Sequence, residues 1–234
     1  MRLAGLMTVG ALLAACSQPG GGDGEPSTAP PPRESTAAPT ATSASTSTPA
    51  PAPSSRPSAG APIADVIAWV QAGRPTDPAS HHEAYRELQT TQLGDDVAFT
   101  ADSGAANGST QCITDATYNS GALTCLVTLT APAPPPPGAE GLWKAGWVDY
   151  SGAGARIGAL RGDPGPFING AGARLRNGDT LAFGDYRCRS DATGLGCVNY
   201  AHRSGVWIDA DGIIPFGCLA PMPPPDGAGQ AFRC

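Results

Sequence analysis

Lysine is almost missing from this chain: Lys144 stands against thirteen arginines, and no cluster of basic residues occurs. The formal net charge is −6, with only 15% of residues charged. Nucleic-acid binding needs grouped cations to displace counterions, so that partner class is excluded. A polybasic contact with anionic lipid is equally unsupported. Aromatic residues are also few, at 6%, and Trp69, Trp143, Trp147 and Trp207 are the largest of them. With modest aliphatic content besides, the core is expected to be small. The apolar run from Leu3 to Ala15 falls short of the roughly 20 residues that span a membrane. There are three histidines, His81, His82 and His202, and no G-x-S-x-G elbow.

Proline, glycine and cysteine, by contrast, are plentiful: 25 Pro, 31 Gly and 7 Cys. The odd cysteine count is explained at the N-terminus. Arg2 precedes the apolar run, which has the length of a secretory signal core and ends Leu13-Ala14-Ala15-Cys16. A Leu three residues before a Cys, with small residues between, resembles a bacterial lipobox. The resemblance implies cleavage after residue 15 and lipidation of Cys16. Each buried methylene adds about 0.8 kcal/mol, and two or more acyl chains anchor stably where one does not. On this reading residues 1–15 are a lipoprotein signal peptide and the protein sits on the extracytoplasmic face of the cell membrane. The mature charge is 13 basic minus 20 acidic residues, or −7.

Residues 16–60 continue as a Pro/Ser/Thr/Ala-rich linker. From 17 to 60 there are ten prolines and no aromatic or large aliphatic residue. Such a segment cannot bury enough apolar surface to offset the entropy of ordering, so a disordered tether is expected. It would reach ~140 Å if fully extended as polyproline II, and about 40 Å as a coil. Its composition equally fits a bare linker and one carrying O-linked sugars.

Residues 61–234 have the length of one domain. In PIADVIAWVQAG, Ile63, Val66, Ile67 and Val70 follow the i, i+3, i+4, i+7 spacing of an amphipathic helix that Gly73 ends. Asp77-Pro78 resembles a second helix start, with His81, Tyr85 and Leu88 on one face. From Val97 the pattern turns to strands and tight turns. Hairpins are expected around Asn119-Ser120-Gly121, Asn177-Gly178, Asp191 to Gly194 and Asp211-Gly212, with a type II turn at Pro164-Gly165. The fold class is therefore mainly β, built of small disulfide-stapled antiparallel hairpins, with one or two short N-terminal helices.

Six cysteines beyond a signal sequence indicate an oxidising compartment. Counting outward from the 191–194 turn sets Cys188 opposite Cys197, where a cross-strand bridge is feasible. Cys112 and Cys125 flank the hairpin near residue 119 in the same way. Cys218 and Cys234 remain, and their bridge would tie back the tail. Each bridge contributes about 2–4 kcal/mol.

Candidate chemistry is thin. His81-His82-Glu83 lacks the i, i+4 spacing of a helical zinc pair, because adjacent side chains diverge by about 100° on a helix. Asp209-Ala210-Asp211-Gly212 resembles the start of a calcium loop, but position 218, where the loop wants Glu, is Cys. A hairpin turn explains it better. Residues 152–158, GAGARIG, lack dinucleotide-loop spacing and read as a tight loop. Pro134–Pro137 reads as a spacer. Asp185, Arg187, Arg189 and Asp191 alternate along one strand face, as a solvated ladder of ion pairs would. No catalytic residue, metal ligand or cofactor site is assigned.

FGDYRCRSDATGLGCVNYAHRSG, with GDPGPF, TQCITDATY, ALTCLVTL and IIPFGCL, resembles uncharacterised mycobacterial lipoproteins of the LppI-like type over roughly residues 62–234. The Cys188 to Asn199 hairpin also looks like a broad set of actinobacterial secreted domains, and the Arg, Ala, Gly and Pro bias fits a GC-rich bacterial genome. The resemblance implies a secreted, lipid-anchored, disulfide-bonded β domain and carries over no catalytic residue. The expected role is a binding module for an envelope glycan, lipid or protein. A cell-wall hydrolase and a structural surface protein are the alternatives.

Overall fold

The computed structural model describes residues 55–234; Cys16, the signal segment and the linker up to residue 54 lie outside the described residues. Helix α1 (Ile63–Gln71) comes first, followed by β1 (Arg74–Pro75), a 3-10 turn (Pro78–His81), β2 (Glu83–Arg86), β3 (Gln89–Gln92), β4 (Ala98–Asp102) and β5 (Ser109–Thr114). A one-turn helix α2 (Ala116–Asn119) leads to β6 (Leu123–Val127), β7 (Trp143–Tyr150) and β8 (Gly154–Leu160). After a second 3-10 turn (Gly165–Asn169) come β9 (Ala171–Arg174), β10 (Asp179–Phe183), β11 (Tyr186–Asp191) and β12 (Gly194–Asn199). The chain ends with β13 (Ser204–Asp209), β14 (Gly212–Gly217), β15 (Ala220–Met222) and β16 (Ala228–Arg233).

The strands form two sheets. One runs β1-β10-β11-β12-β13-β14, the other β15-β16-β8-β7-β6-β5-β4-β9-β2-β3. Side chains alternate across a strand, so each sheet has an inner and an outer face. The inner faces share one core: Phe99, Cys112, Cys125, Val148 and Tyr150 from the large sheet meet Leu181, Cys188, Leu195, Cys197 and Val206 from the small one. Cys112–Cys125 and Cys188–Cys197 are both cross-strand bridges in this buried layer, one per sheet, and Cys218–Cys234 ties the tail. The first two pairings are those the hairpin spacing predicts, and the third is the pair that remained.

Helix α1 covers the outer face of the small sheet. Its Val66, Trp69 and Val70 pack on Val198, Trp207 and Phe216. Trp69 lies against Gly196, where a Cβ would come within 2.8 Å of the indole. This layer overturns the expected ion-pair ladder. Arg189 is stacked on Trp69 at 4.2 Å and donates to the Trp69 carbonyl at 2.6 Å. Asp191 accepts from the Thr193 backbone N–H and hydroxyl. Among the described residues no ion pair joins the four charges of that row; helix α1 covers Arg189, where water was expected, while Asp185 stays exposed.

Other expectations also change. The second helix shrinks to one 3-10 turn capped by Asp77, whose side chain accepts from the Ala79 N–H at 3.0 Å. Residues 83–92 are a β-hairpin, because Ala84 is buried with Ala98 and Ile113 only when β2 joins the sheet beside β9; this burial overrides local propensity. The Asn177-Gly178 turn forms, with Asp179 N–H donating to the Arg176 carbonyl. Its flanking strands part, however: β9 enters the large sheet and β10 the small one. At Pro164 ψ is −8°, so the chain enters a 3-10 turn and not a type II turn. Of GAGARIG, residues 154–158 belong to β8. The hairpins at 119–121, 191–194 and 211–212 form, the first with α2 inside its connection.

Candidate functional site

Among the described residues, the outer face of the large sheet carries no helix like α1 above its β6–β8 region. Cross-strand register sets a row there: Met222, Ala231, Arg156, Asp149, Thr124, Ile113 and Ala98 stand opposite one another in turn from β15 to β4. Both ends are apolar. The centre is an arginine, a carboxylate and a hydroxyl, and directly opposed residues are close enough to interact.

Asp149 is the hub. Its Oδ1 accepts from the Thr124 hydroxyl at 2.9 Å and from the Trp147 indole N–H at 3.0 Å. Its Oδ2 lies 3.6 Å from Arg156 and 3.7 Å from Arg161, and the carboxyl group is only 12% exposed. Trp147 shares the outer face with Asp149 because they are two residues apart on β7. It is buried, edge-on to Phe167 at 5.4 Å.

Arg161 is held from two sides. Its guanidinium carbon lies 4.8 Å from the Trp147 ring centre and 5.3 Å from that of Tyr118, and it donates to the Tyr118 hydroxyl. Cation–π contact of this kind fixes a long side chain that would otherwise be mobile. Helix α2 brings Tyr118 in. Asp115 accepts from the Thr117 and Tyr118 N–H groups, and Ser120 closes the turn in the left-handed region at φ 58°. Gly165, at φ +55°, passes so close that a Cβ would meet the Tyr118 ring and hydroxyl at 2.9 Å. Burial raises the Tyr118 pKa above the usual tyrosine range, ahead of the opposing effect of Arg161.

Above this row lies a groove of about 1030 Å³. Arg156, Arg161 and Asp149 form its floor, α2 one wall, and Met222, Pro223, Pro225 and Phe232 the other. A recess of about 370 Å³ opens on the far side of the same three charged residues, against Leu160, Ala159 and Ala228. The groove therefore joins convergent hydrogen-bond donors to apolar walls, a combination typical of ligand sites. No histidine, cysteine or lysine lines it among the described residues. Ser120 and Ser151 do line it, and both also line the recess that holds His202; among the described residues neither is hydrogen-bonded to that imidazole, and Ser151 donates to the Gly154 carbonyl.

Of the stretches singled out in the sequence, GAGARIG supplies Ala153 to Arg156 and the 119–121 turn supplies Asn119 and Ser120; the histidines and the calcium-like loop do not line the groove. His81 is buried against Phe99, with ring centres 6.4 Å apart, while His82 Nδ1 meets the Asp96 carbonyl at 2.8 Å. His202 lines an adjoining recess with Asp185 and Asn199, which shares Asn119, Ser120, Ala122 and Ser151 with the groove. Asp209 accepts from the Asp211 and Gly212 N–H groups, as a hairpin turn requires. Pro134–Pro137 lie in the exposed connection before β7. Tyr118, Trp147 and Arg156 lie in stretches that the sequence brings to notice, but it assigns no binding role to them, to Asp149 or to Arg161. The one usable signal was the alternation in WVDY, which places Trp147 and Asp149 on one face. Comparison of the chain with protein-family models, curated proteins and solved structures finds no match.

Proposed function

We propose that the protein is a lipid-anchored, extracytoplasmic binding module of the cell envelope, and that its ligand occupies the groove over Asp149. The carrying observation is Arg161, held between Trp147 and Tyr118 with its charge directed to the groove floor. A preorganised guanidinium beside open apolar walls suits recognition. Three disulfides support an oxidising compartment, and the Leu13 to Cys16 motif supports the anchor. Hydrolysis is less favoured, since Asp149 is engaged by donors and cations. Among the described residues neither Ser120 nor Ser151 is hydrogen-bonded to the His202 imidazole in the adjoining recess, and Ser151 donates to the Gly154 carbonyl.

Two experiments test this. Cys16→Ala should move the protein from the detergent-soluble membrane fraction to the aqueous fraction; unchanged membrane retention refutes the anchor. For the groove, the full chain is incubated with a solvent extract of a bacterial envelope, repurified and weighed by native mass spectrometry. A 1:1 small-molecule adduct on the wild type that is lost in Ala153→Trp, which fills the groove, is the expected result. An adduct retained by that variant places the ligand elsewhere, and no adduct on the wild type refutes the binding role.

A further inference from the structure

We infer that the groove takes a single-chain anionic amphiphile, its carboxylate or phosphate on Arg156 and Arg161 and its tail along the Met222–Pro223 wall. This rests on the groove being a binding site, as proposed above.

Three arginines, Arg156, Arg161 and Arg233, line the groove against two carboxylates, Asp149 and Asp163. In a chain of net charge −6 the groove is lined by one more cation than carboxylate, with Asp226 in the adjoining smaller recess. Both carboxylates are already engaged: Asp149 by Thr124 and Trp147, Asp163 by the Gly165 N–H at 2.7 Å. The cations are less so: Arg161 donates to the Tyr118 hydroxyl, and Arg156 makes only its ion-pair contact with Asp149 among the described residues. Arg156 and Arg161 approach Asp149 only at 3.6 and 3.7 Å, beyond good hydrogen-bond distance. They share one acceptor between two guanidinium forks. Arg156 is more than half exposed. The Tyr118 hydroxyl accepts from Arg161, which leaves its own proton for a ligand oxygen. An incoming oxyanion would thus receive charge-assisted hydrogen bonds that no protein group now takes.

The rest of the groove is unsuited to a wholly polar ligand. Ala122, Ala153, Ala231, Met222, Pro223 and Pro225 face it. The arginines stand where the large and small recesses meet, so an anion seated on them leaves the apolar length of the larger recess for a chain. An extended peptide is disfavoured. β15 is the sheet edge beside the groove, and it carries Pro221 and runs into Pro223-Pro224-Pro225, which offer no N–H to a new strand.

The test uses the full chain with Cys16→Ala, so that no acyl chain of its own competes, and isothermal titration below the critical micelle concentration. The probes are oleate, oleyl phosphate, oleyl alcohol and inorganic phosphate. Saturable 1:1 binding of oleate or oleyl phosphate is expected, with both the alcohol and the bare anion weaker by at least about tenfold. The preferred one of the two identifies the headgroup. Arg156→Ala, a half-exposed site that should fold, should weaken the amphiphile by about tenfold and leave the alcohol unchanged. Equal binding of alcohol and oleate, no effect of Arg156→Ala, or equal binding of an acidic peptide of the chain's own residues 23–36 overturns the inference. Failure of every probe beside a retained envelope adduct overturns the ligand class and leaves the binding role standing. Failure of both removes both.

Discussion

His81 shows how much one side chain is altered by its place in this fold. Its ring is 2% exposed and meets the Phe99 ring edge-on. Burial is the main reason its pKa falls below the ordinary 6.5, with neighbouring His82 acting in the same direction and Asp77 against it. The folded protein then binds a proton less readily than the unfolded chain. The stability contribution of the neutral ring is present above pH 6.5 and is lost as pH falls toward the lowered value. Thermal unfolding followed from pH 7.5 to about pH 5 should therefore show a falling midpoint, and His81→Leu should flatten that slope. Identical slopes in the two proteins would mean that His81 does not carry the effect. The phenols behave in the opposite sense: burial pushes Tyr186 up to about 12, and Tyr150, bonded to Ser204 at 2.8 Å, rises as well. Both are neutral donors at physiological pH.

At the level of elements, β9 is the most constrained. It pairs antiparallel with β2 and parallel with β4, and a Cβ on Gly172 would come within 1.9 Å of the Ala98 backbone. Gly172→Ala should cost at least the upper part of the roughly 1–3 kcal/mol that overpacking costs, measured by urea unfolding. Gly162→Ala is the control, since nothing lies within 4 Å of a Cβ there, and it should stay within about 0.5 kcal/mol of wild type. Equal effects would refute the packing at β9. The same strand shows what a sequence can convey. Turns that join adjacent strands are local, so counting from Asp191 and Gly194 reaches Cys188 opposite Cys197 without any knowledge of the rest. The 176–179 turn is just as visible locally, yet which sheets receive its two strands depends on Ala98 and Leu181, distant in the chain. Asp149 and Arg156 face each other for a partly local reason, the β7–β8 hairpin. Tyr118, Arg161 and Met222 join them only through the tertiary fold, so the groove could not be read in advance.

Across the whole molecule, the chain leading into the domain meets the side away from the groove. Arg56 pairs with Asp209 at 3.0 Å and lies over the Trp207 ring at 5.3 Å, on the face that α1 covers. Half-exposed as it is, this pair contributes less than about 1 kcal/mol. Arg56→Ala should raise hydrogen exchange in α1 while leaving β6–β8 unchanged; equal exchange in α1 would show that Arg56 holds nothing in place. The three layers also differ in covalent reinforcement. Cys112 is the first bridged cysteine of the described chain, so Arg56, α1 and the strands up to β4 are held by non-covalent contacts alone. Tension entering from the N-terminal side would therefore meet a graded resistance. The Arg56 contact would let go first and α1 next, while the loops 112–125, 188–197 and 218–234 cannot lengthen until their sulfurs part. In single-molecule stretching, reductant should add roughly 3.5 Å for each residue released from those loops, and the early α1 event should be unaffected by it. The helix layer would then act as a mechanical fuse that yields to a tug from the N-terminal side before the load reaches the groove-bearing strands.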